Sequence, residues 1–121
     1  MAIKQRLMGS GLAAQAATNI VGDGATGLTA TGTTQGTAYV LTAANSQFST
    51  TAASTGALLF DVDQFDMVFV DNDGANALLV YPPSGHNINA LAANAGYSIA
   101  AGKGALFIKC STTAWISFLS A

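Results

Sequence analysis

Six aspartates, one histidine and one cysteine are the side chains here best suited to catalysis or metal binding, and the sequence has no Glu. Three aspartates lie in residues 61–66, and two more lie in Asp71-Asn72-Asp73-Gly74. Clustered carboxylate oxygens are the ligands that Ca²⁺ prefers. Neither segment has the spacing of a complete calcium loop, because no Glu follows and residues 61–66 lack the loop glycine. We therefore expect solvated turn residues in 61–66, a hairpin turn in 71–74, and no bound metal.

His86, Cys110 and Gly102-Lys103-Gly104 each lack the neighbours that would make them functional. One His and one distant Cys cannot form an ordinary zinc site, so we expect His86 to be an exposed loop histidine and Cys110 a small buried apolar residue. An apolar strand follows Lys103, where a phosphate-binding loop needs a helix. No local catalytic motif accompanies any Ser. We predict a protein that is not an enzyme and has no cofactor.

Charge is scarce throughout the chain. Only 8% of the 121 residues are charged, against about 25% in an ordinary soluble domain, and the mean hydropathy is +0.42. Because a small domain normally stays soluble through a mixed, charged surface, we expect neighbours to cover much of this one. Four cations form no basic patch for phosphates, and the apolar runs are far too short for a spanning helix. We therefore expect neither nucleic acid nor membrane as a partner.

The composition divides the chain at about residue 36. Residues 1–36 are rich in Gly, Ala and Thr and poor in large apolar side chains, so this segment cannot bury enough surface to fold alone. We expect an extended N-terminal arm that is ordered by contact with other copies or a larger partner. The alternative is that it packs along its own domain. Residues 37–121 are predicted to form the β domain.

Residues 37–121 carry short runs of Thr, Val, Tyr, Phe and Ile between turn residues, as strands do. Asp73-Gly74 favours a hairpin joining residues 67–70 to 78–81, a second hairpin joins 106–110 to 115–118, and Pro82 ends a strand. The fold class is all-β: a β-sandwich, a jelly-roll-like fold or a small barrel. The predicted strands are 37–42, 48–51, 57–60, 66–71, 77–81, 97–100, 105–110 and 115–119.

Two predicted strands are apolar on both faces, in Leu78-Leu79-Val80 and in Leu106-Phe107-Ile108. Strands that are buried on both sides have this pattern. In a chain this small, one face packs on the core, and we expect a neighbouring subunit to cover the other. The aromatic side chains lie almost entirely within predicted strands, where core packing is the default.

Residues 70–82, which read VDNDGANALLVYP, resemble small β-rich structural proteins of tailed bacteriophages. Residues 88–103, the closing strand around Trp115 and residues 33–38 carry the same resemblance. Together these segments cover about two thirds of the chain. Proteins of this kind occur among capsid decoration (cement) proteins and among fibre or head-spike domains.

The resemblance implies a homotrimer that is made in the bacterial cytoplasm and sits on the outer capsid surface of the virion. There it would bind the major capsid protein and stabilise the DNA-filled head. Cationic groups near the N-terminus would meet acidic capsid groups, and apolar neighbours would anchor the contact. The expected capsid-binding residues are Ile3, Lys4, Arg6, Leu7, Met8 and Leu12.

Two other functions remain open. A fibre or spike domain that attaches to host surface glycan would group exposed Tyr97, Trp115 or His86 in a groove. A glycan hydrolase would need two carboxylates that face each other across a cleft, and only the six aspartates could supply them.

Overall fold

The computed structural model describes residues 3–11, 13 and 23–121. This part of the chain contains a short helix, α1 (Ile3–Gly9), and ten strands. The strands are β1 (Gly24–Thr29), β2 (Tyr39–Val40), β3 (Asn45–Thr50), β4 (Gly56–Leu58), β5 (Met67–Asn72), β6 (Leu78–Tyr81), β7 (Asn87–Ile88), β8 (Tyr97–Ile99), β9 (Lys103–Lys109) and β10 (Ala114–Leu119).

The first six strands wind as a solenoid of three coils. Successive strands alternate between two sheets, so that β1, β3 and β5 run parallel in sheet A while β2, β4 and β6 run parallel in sheet B. Coil 1 contains β1 and β2, coil 2 contains β3 and β4, and coil 3 contains β5 and β6. Gly24 lies beside Asn45, and Asn45 lies beside Phe69, so equivalent positions stack from coil to coil.

The remaining strands extend both sheets beyond coil 3. In sheet A, β9 pairs antiparallel with β5, β10 pairs antiparallel with β9, and β7 lies parallel to β10. In sheet B, β8 pairs antiparallel with β6. The full strand orders are β1-β3-β5-β9-β10-β7 and β2-β4-β6-β8.

The first strand of sheet A is irregular. Its register against β3 shifts on both sides of Leu28, and Gly27 adopts a φ of 68°. That positive φ is a conformation that glycine takes without a steric penalty. In the described chain β1 is an edge of sheet A, so the irregularity lies on an edge strand, where β-bulges are common.

The hydrophobic core fills the space between the two sheets. Sheet A contributes Phe48, Val68, Val70, Phe107 and Trp115, all almost completely buried. Sheet B faces them with Ala57, Leu78, Val80 and Ile99. Two edge-to-face ring pairs join the sheets: Tyr39 and Phe48 with centroids 5.6 Å apart, and Tyr97 and Phe107 with centroids 5.8 Å apart. Such pairs contribute about 0.5–1.5 kcal/mol each beyond area burial.

The all-β prediction is confirmed, and all eight predicted strands overlap observed ones. The sheets form a solenoid-like arrangement that is not clearly a jelly-roll sandwich. The β9–β10 hairpin and the end of β6 before Pro82 are confirmed. The sequence predicts no strand in residues 1–36, whereas β1 lies there and pairs with β3, and residues 3–9 are helical within the expected extended arm. Strand β7 has no counterpart among the predicted strands.

The predicted hairpin between residues 67–70 and 78–81 is wrong. Strands β5 and β6 belong to different sheets, and the segment between them is a corner of coil 3. Gly74 serves this corner by its small size, because a Cβ there would overlap the Oγ1 atom of Thr51 in coil 2. A hairpin and a corner thus use the same residue type for different reasons.

A buried polar side chain holds this corner. Asn72 is completely buried, and its Nδ2 donates to the carbonyl oxygens of Asn76 at 2.8 Å and of Ile99 at 2.9 Å. Its Oδ1 accepts from the backbone N–H of Gly74 at 3.1 Å and from the Thr51 hydroxyl at 3.3 Å. One amide therefore joins coil 2, coil 3 and strand β8.

Replacing Asn72 with Ala should destabilise the fold by about 3 kcal/mol, because each buried group left without a partner costs about 1–3 kcal/mol. Urea unfolding followed by circular dichroism measures the change. Ser49→Ala, at an exposed position on β3, is the control and should change the free energy of unfolding by less than about 0.5 kcal/mol. Equal midpoints for the two variants would contradict the role given to Asn72.

Candidate protein-interaction site

Five of the six expected capsid-binding residues lie in helix α1, and Leu12 lies outside the described residues. Arg6 lies in the last turn of the helix, and its side chain and that of Met8 are exposed. The helix ends where the backbone N–H of Ser10 donates to the Arg6 carbonyl and Gly11 takes a φ of 100°. The structure places Ile3, Lys4 and Leu7 in the same helix.

A different surface carries the large apolar groups. On β5, Val68 and Val70 point into the core, while Met67 and Phe69 point away from it. The same alternation on β9 and β10 brings further apolar side chains to the outside of sheet A. We call this surface the apolar outer face; its members are Met67, Phe69, Leu106, Ile108, Ile116 and Phe118.

The strand register arranges these six side chains in two rows across three neighbouring strands. Met67 lies opposite Ile108, which lies opposite Ile116. In the second row, Phe69 lies opposite Leu106, which lies opposite Phe118. Directly opposed side chains in adjacent strands are close enough to pack together. The rows are therefore one continuous surface.

The apolar outer face is open to solvent at both of its flanks. Met67 and Phe118 are each 57% exposed, Ile116 is 40% exposed and Phe69 is 38% exposed, while the side chains of the middle strand are half-buried. At roughly 200 Å² for a large side chain, these four residues leave about 400 Å² of exposed surface. The largest apolar patch on a typical monomer has about this size and is often functional, which makes this face a candidate interaction site.

Phe65, just before β5, adds an exposed aromatic ring. Its side chain is 71% exposed, and its backbone takes a φ of 74°, a conformation that is rare for a bulky residue. The left-handed conformation costs a non-glycine residue about 1–2 kcal/mol. The backbone N–H of Phe65 donates to the Lys109 carbonyl at 2.6 Å, which fixes the turn. Strained backbone of this kind is concentrated at functional sites.

A groove of about 250 Å³ lies beside the apolar outer face. Phe69 borders it, and the ring of Phe69 extends over Gly104, where a Cβ would come within 3.0 Å. Gln47 and Asp71 are half-buried, and neither side chain has a hydrogen-bond partner within the described chain. The groove is lined by Gly24, Ala25, Thr26, Asn45, Ser46, Gln47, Phe69 and Asp71.

The acidic segment at residues 61–66 forms an ion pair with Lys109, the last residue of β9. Lys109 is buried, and its Nζ donates to Asp61 Oδ1 at 2.6 Å and to the Val62 carbonyl at 2.8 Å. The hydrogen bond from Lys109 lowers the pKa of Asp61 below its usual 3.8. Asp63 and Asp66 are exposed. Among the described residues, no three His, Cys or Asp side chains come together as metal ligands would.

Two predictions about single residues are wrong. His86 is buried rather than exposed, because the indole N–H of Trp115 donates to His86 Nδ1 at 3.1 Å. This hydrogen bond requires an unprotonated Nδ1. Cys110 is exposed rather than buried, because it follows the last residue of β9.

The groove expected for glycan binding does not form from the residues that the sequence indicated. Trp115 is in the core, His86 is held beneath it, and Tyr97 packs edge-on against Phe107. The sequence gives no sign of Phe65 as an interaction residue, because residues 61–66 have the composition of a solvated turn. The apolar outer face is indicated in part, through the doubly apolar run at Leu106-Phe107-Ile108.

No protein family matches this chain, and neither a curated protein nor a solved structure matches it. Within the described residues, no helix is long and apolar enough to cross a membrane. The class that the fold defines is thus a small all-β protein of two solenoid-like sheets. Its most distinctive surface is the apolar outer face.

Replacing Asp61 with Asn should reduce the loss of unfolding free energy that occurs as the pH is lowered below about 4. Because the folded pKa of Asp61 lies below its unfolded value, its contribution is present above about pH 4 and is lost as the pH falls through the folded pKa. Urea unfolding between about pH 7 and about pH 2.5 measures the slope. Asp63→Asn, at an exposed carboxylate in the same turn, is the control. Identical slopes for Asp61→Asn and the unaltered protein would contradict the ion pair.

Proposed function

We propose that this chain is a non-enzymatic structural protein of a tailed-phage virion, a homotrimeric decoration protein that binds the outer capsid shell. The observation that carries this proposal is the apolar outer face. A surface with two rows of Met, Phe, Leu and Ile across three strands suits a protein that works inside an assembly. The scarcity of charge over the whole chain supports the same function.

A decoration protein needs no binding cleft in its two β-sheets. Two stacked sheets supply a rigid block in the manner of a sandwich, which is what the predicted jelly-roll or barrel would also have supplied. The backbone strain at Phe65 and the exposure of the two apolar rows both raise the free energy of an isolated copy. Contact with another protein would remove the second of these by covering the apolar side chains. These features support a role in binding rather than in catalysis.

The shell contact is assigned to the N-terminal segment. Helix α1 carries an exposed cation at Arg6 and an exposed apolar side chain at Met8, and both types of group suit an acidic capsid surface with apolar pockets. Apolar burial contributes about 25 cal/mol per Å², and three segments on one trimer multiply the affinity through avidity. A trimer held at several points resists the outward load of packaged DNA by bridging capsid subunits.

Charge reversal at Arg6 tests this assignment. Purified protein is mixed with heads of the phage that encodes it, prepared without this protein, and the bound fraction is measured by co-sedimentation. Arg6→Glu should weaken head binding by at least about 30-fold, because removing one partner of a close charge pair costs about 2–5 kcal/mol and each step of about 1.4 kcal/mol is tenfold in affinity. Lys103→Glu, a reversal of the same size on the body, should bind as the unaltered protein does.

Failure of the unaltered protein to bind such heads would overturn the capsid function. If Arg6→Glu and Lys103→Glu weaken head binding equally, the effect is one of overall charge, and helix α1 is not the part of the chain that contacts the capsid.

A second candidate, a fibre or spike domain that recognises host glycan, is favoured by the groove beside Phe69. An aromatic ring bordered by Asn45, Gln47 and Asp71 combines a stacking surface with amide and carboxylate groups for sugar hydroxyls. This function requires that purified surface polysaccharide of the host perturbs the NMR signals of the groove residues. Asp71→Asn should then weaken binding by about tenfold, through loss of a charge-assisted hydrogen bond. Absence of any perturbation at millimolar sugar removes this candidate.

A further inference from the structure

We infer that the apolar outer face is the surface through which copies of this chain contact one another, with Phe65 as a strained anchor at its border. The inference rests on the proposed function insofar as that function requires a homotrimer, and it assigns the contact to sheet A. Helix α1 then remains available for the capsid shell.

The charge distribution favours a second copy as the occupant. Neither row of the apolar outer face contains a charged side chain. In a cyclic trimer, residues close to the three-fold axis meet their own copies in the neighbouring subunits, so a charge there would meet its own kind, which is costly. A neutral, wholly apolar surface avoids this cost and is complementary to itself. A partner recognised by charge would have left charged residues within the rows.

The size of the surface is also adequate. The exposed parts of Met67, Phe69, Ile116, Phe118 and Phe65 together amount to about 500 Å², at roughly 200 Å² for each full side chain. A standard interface buries about 800 Å² on each partner, and its apolar share is roughly 65% in homo-oligomers. The face therefore supplies the apolar part of one ordinary interface, and the polar residues Asn45 and Gln47, which line the groove beside Phe69, supply a rim.

Phe65 gives an independent reason. A turn with a φ near +74° is normally occupied by Gly or Asn, which adopt it at little cost. Here a bulky aromatic residue occupies the turn, with most of its ring exposed. Among the described residues, the ring belongs neither to the core nor to the side chains packed against it. Coverage of the ring by a second copy accounts for Phe at this position, because aromatic residues, Phe included, are enriched in protein interfaces.

Sedimentation equilibrium of the isolated full-length protein, over a wide concentration range and without capsid, is the test. The unaltered protein should be a trimer. The double variant Ile116→Thr/Phe118→Thr keeps strand-favouring residues but removes two apolar contacts, and it should raise the dissociation constant by about 100-fold or more. Val40→Thr, an equally exposed apolar position on β2 in the other sheet, is the matched control and should leave the assembly unchanged.

A second variant separates association from folding. Phe65→Asn relieves the turn, so the unfolding midpoint of the dissociated chain should be equal or higher, while the dissociation constant rises by about tenfold. Circular dichroism of each variant confirms that the sheets remain folded. An unaltered protein that is monomeric at all concentrations overturns the inference, as does an oligomer that survives both the double variant and Phe65→Asn.

The remaining outcomes separate this inference from the proposed function. A dimer that is disrupted by the double variant supports the face as a self-contact but overturns the trimer. An oligomer that depends on the face and does not bind heads supports the face and overturns the capsid function.

Discussion

The side-chain amide of Asn72 is the constraint on which the rest of this molecule depends. With its four hydrogen bonds it fixes the corner of coil 3 against Thr51 of coil 2 and against the Ile99 carbonyl on β8. Strand β5 enters this corner, and β9 and β10 take their register from β5. The rows of the apolar outer face are therefore aligned only if the corner is correctly made. A buried polar group that is fully satisfied specifies one arrangement of its surroundings.

A single alternation of side chains produces both the stability and the surface of sheet A. Val68, Val70 and Phe107 point inward and exclude water from the core. Their neighbours along the same strands point outward and form the apolar outer face. Because side chains alternate along a strand, a shift of one residue in the strand register would move every inward side chain to the outer face and every outward side chain to the core. The apolar outer face is thus held as firmly as the core, although it contributes little to the stability of one copy.

The local sequence is sufficient to predict the strands that are rich in β-branched and aromatic residues. It also predicts the β9–β10 hairpin, where Ser111-Thr112-Thr113 reverses the chain. It fails for β1, whose sequence GATGLT has few β-branched or aromatic residues and which becomes a strand only by pairing with β3. It fails also at Gly74, because a close contact with Thr51 is not visible in the local sequence. His86 is misjudged for the same reason, because the Trp115 indole that positions it is distant along the chain. The helix at residues 3–9 consists mainly of good helix formers, but it has only seven residues and lies in a segment that is otherwise rich in Gly, Ala and Thr, so it escapes prediction.

The irregular edge of β1 bears on the size of assembly that this protein can form. A solenoid whose coils stack in register has an end onto which another chain could add its own strands, and repeated addition would give an open filament. The shifted register around Leu28 and the left-handed Gly27 disturb the row of backbone groups at that end, and such disturbances prevent edge-to-edge pairing. Growth along the coil axis is thereby discouraged, while the flat side of sheet A stays available. If copies associate through the apolar outer face as inferred above, this edge favours closed particles of fixed copy number over fibres.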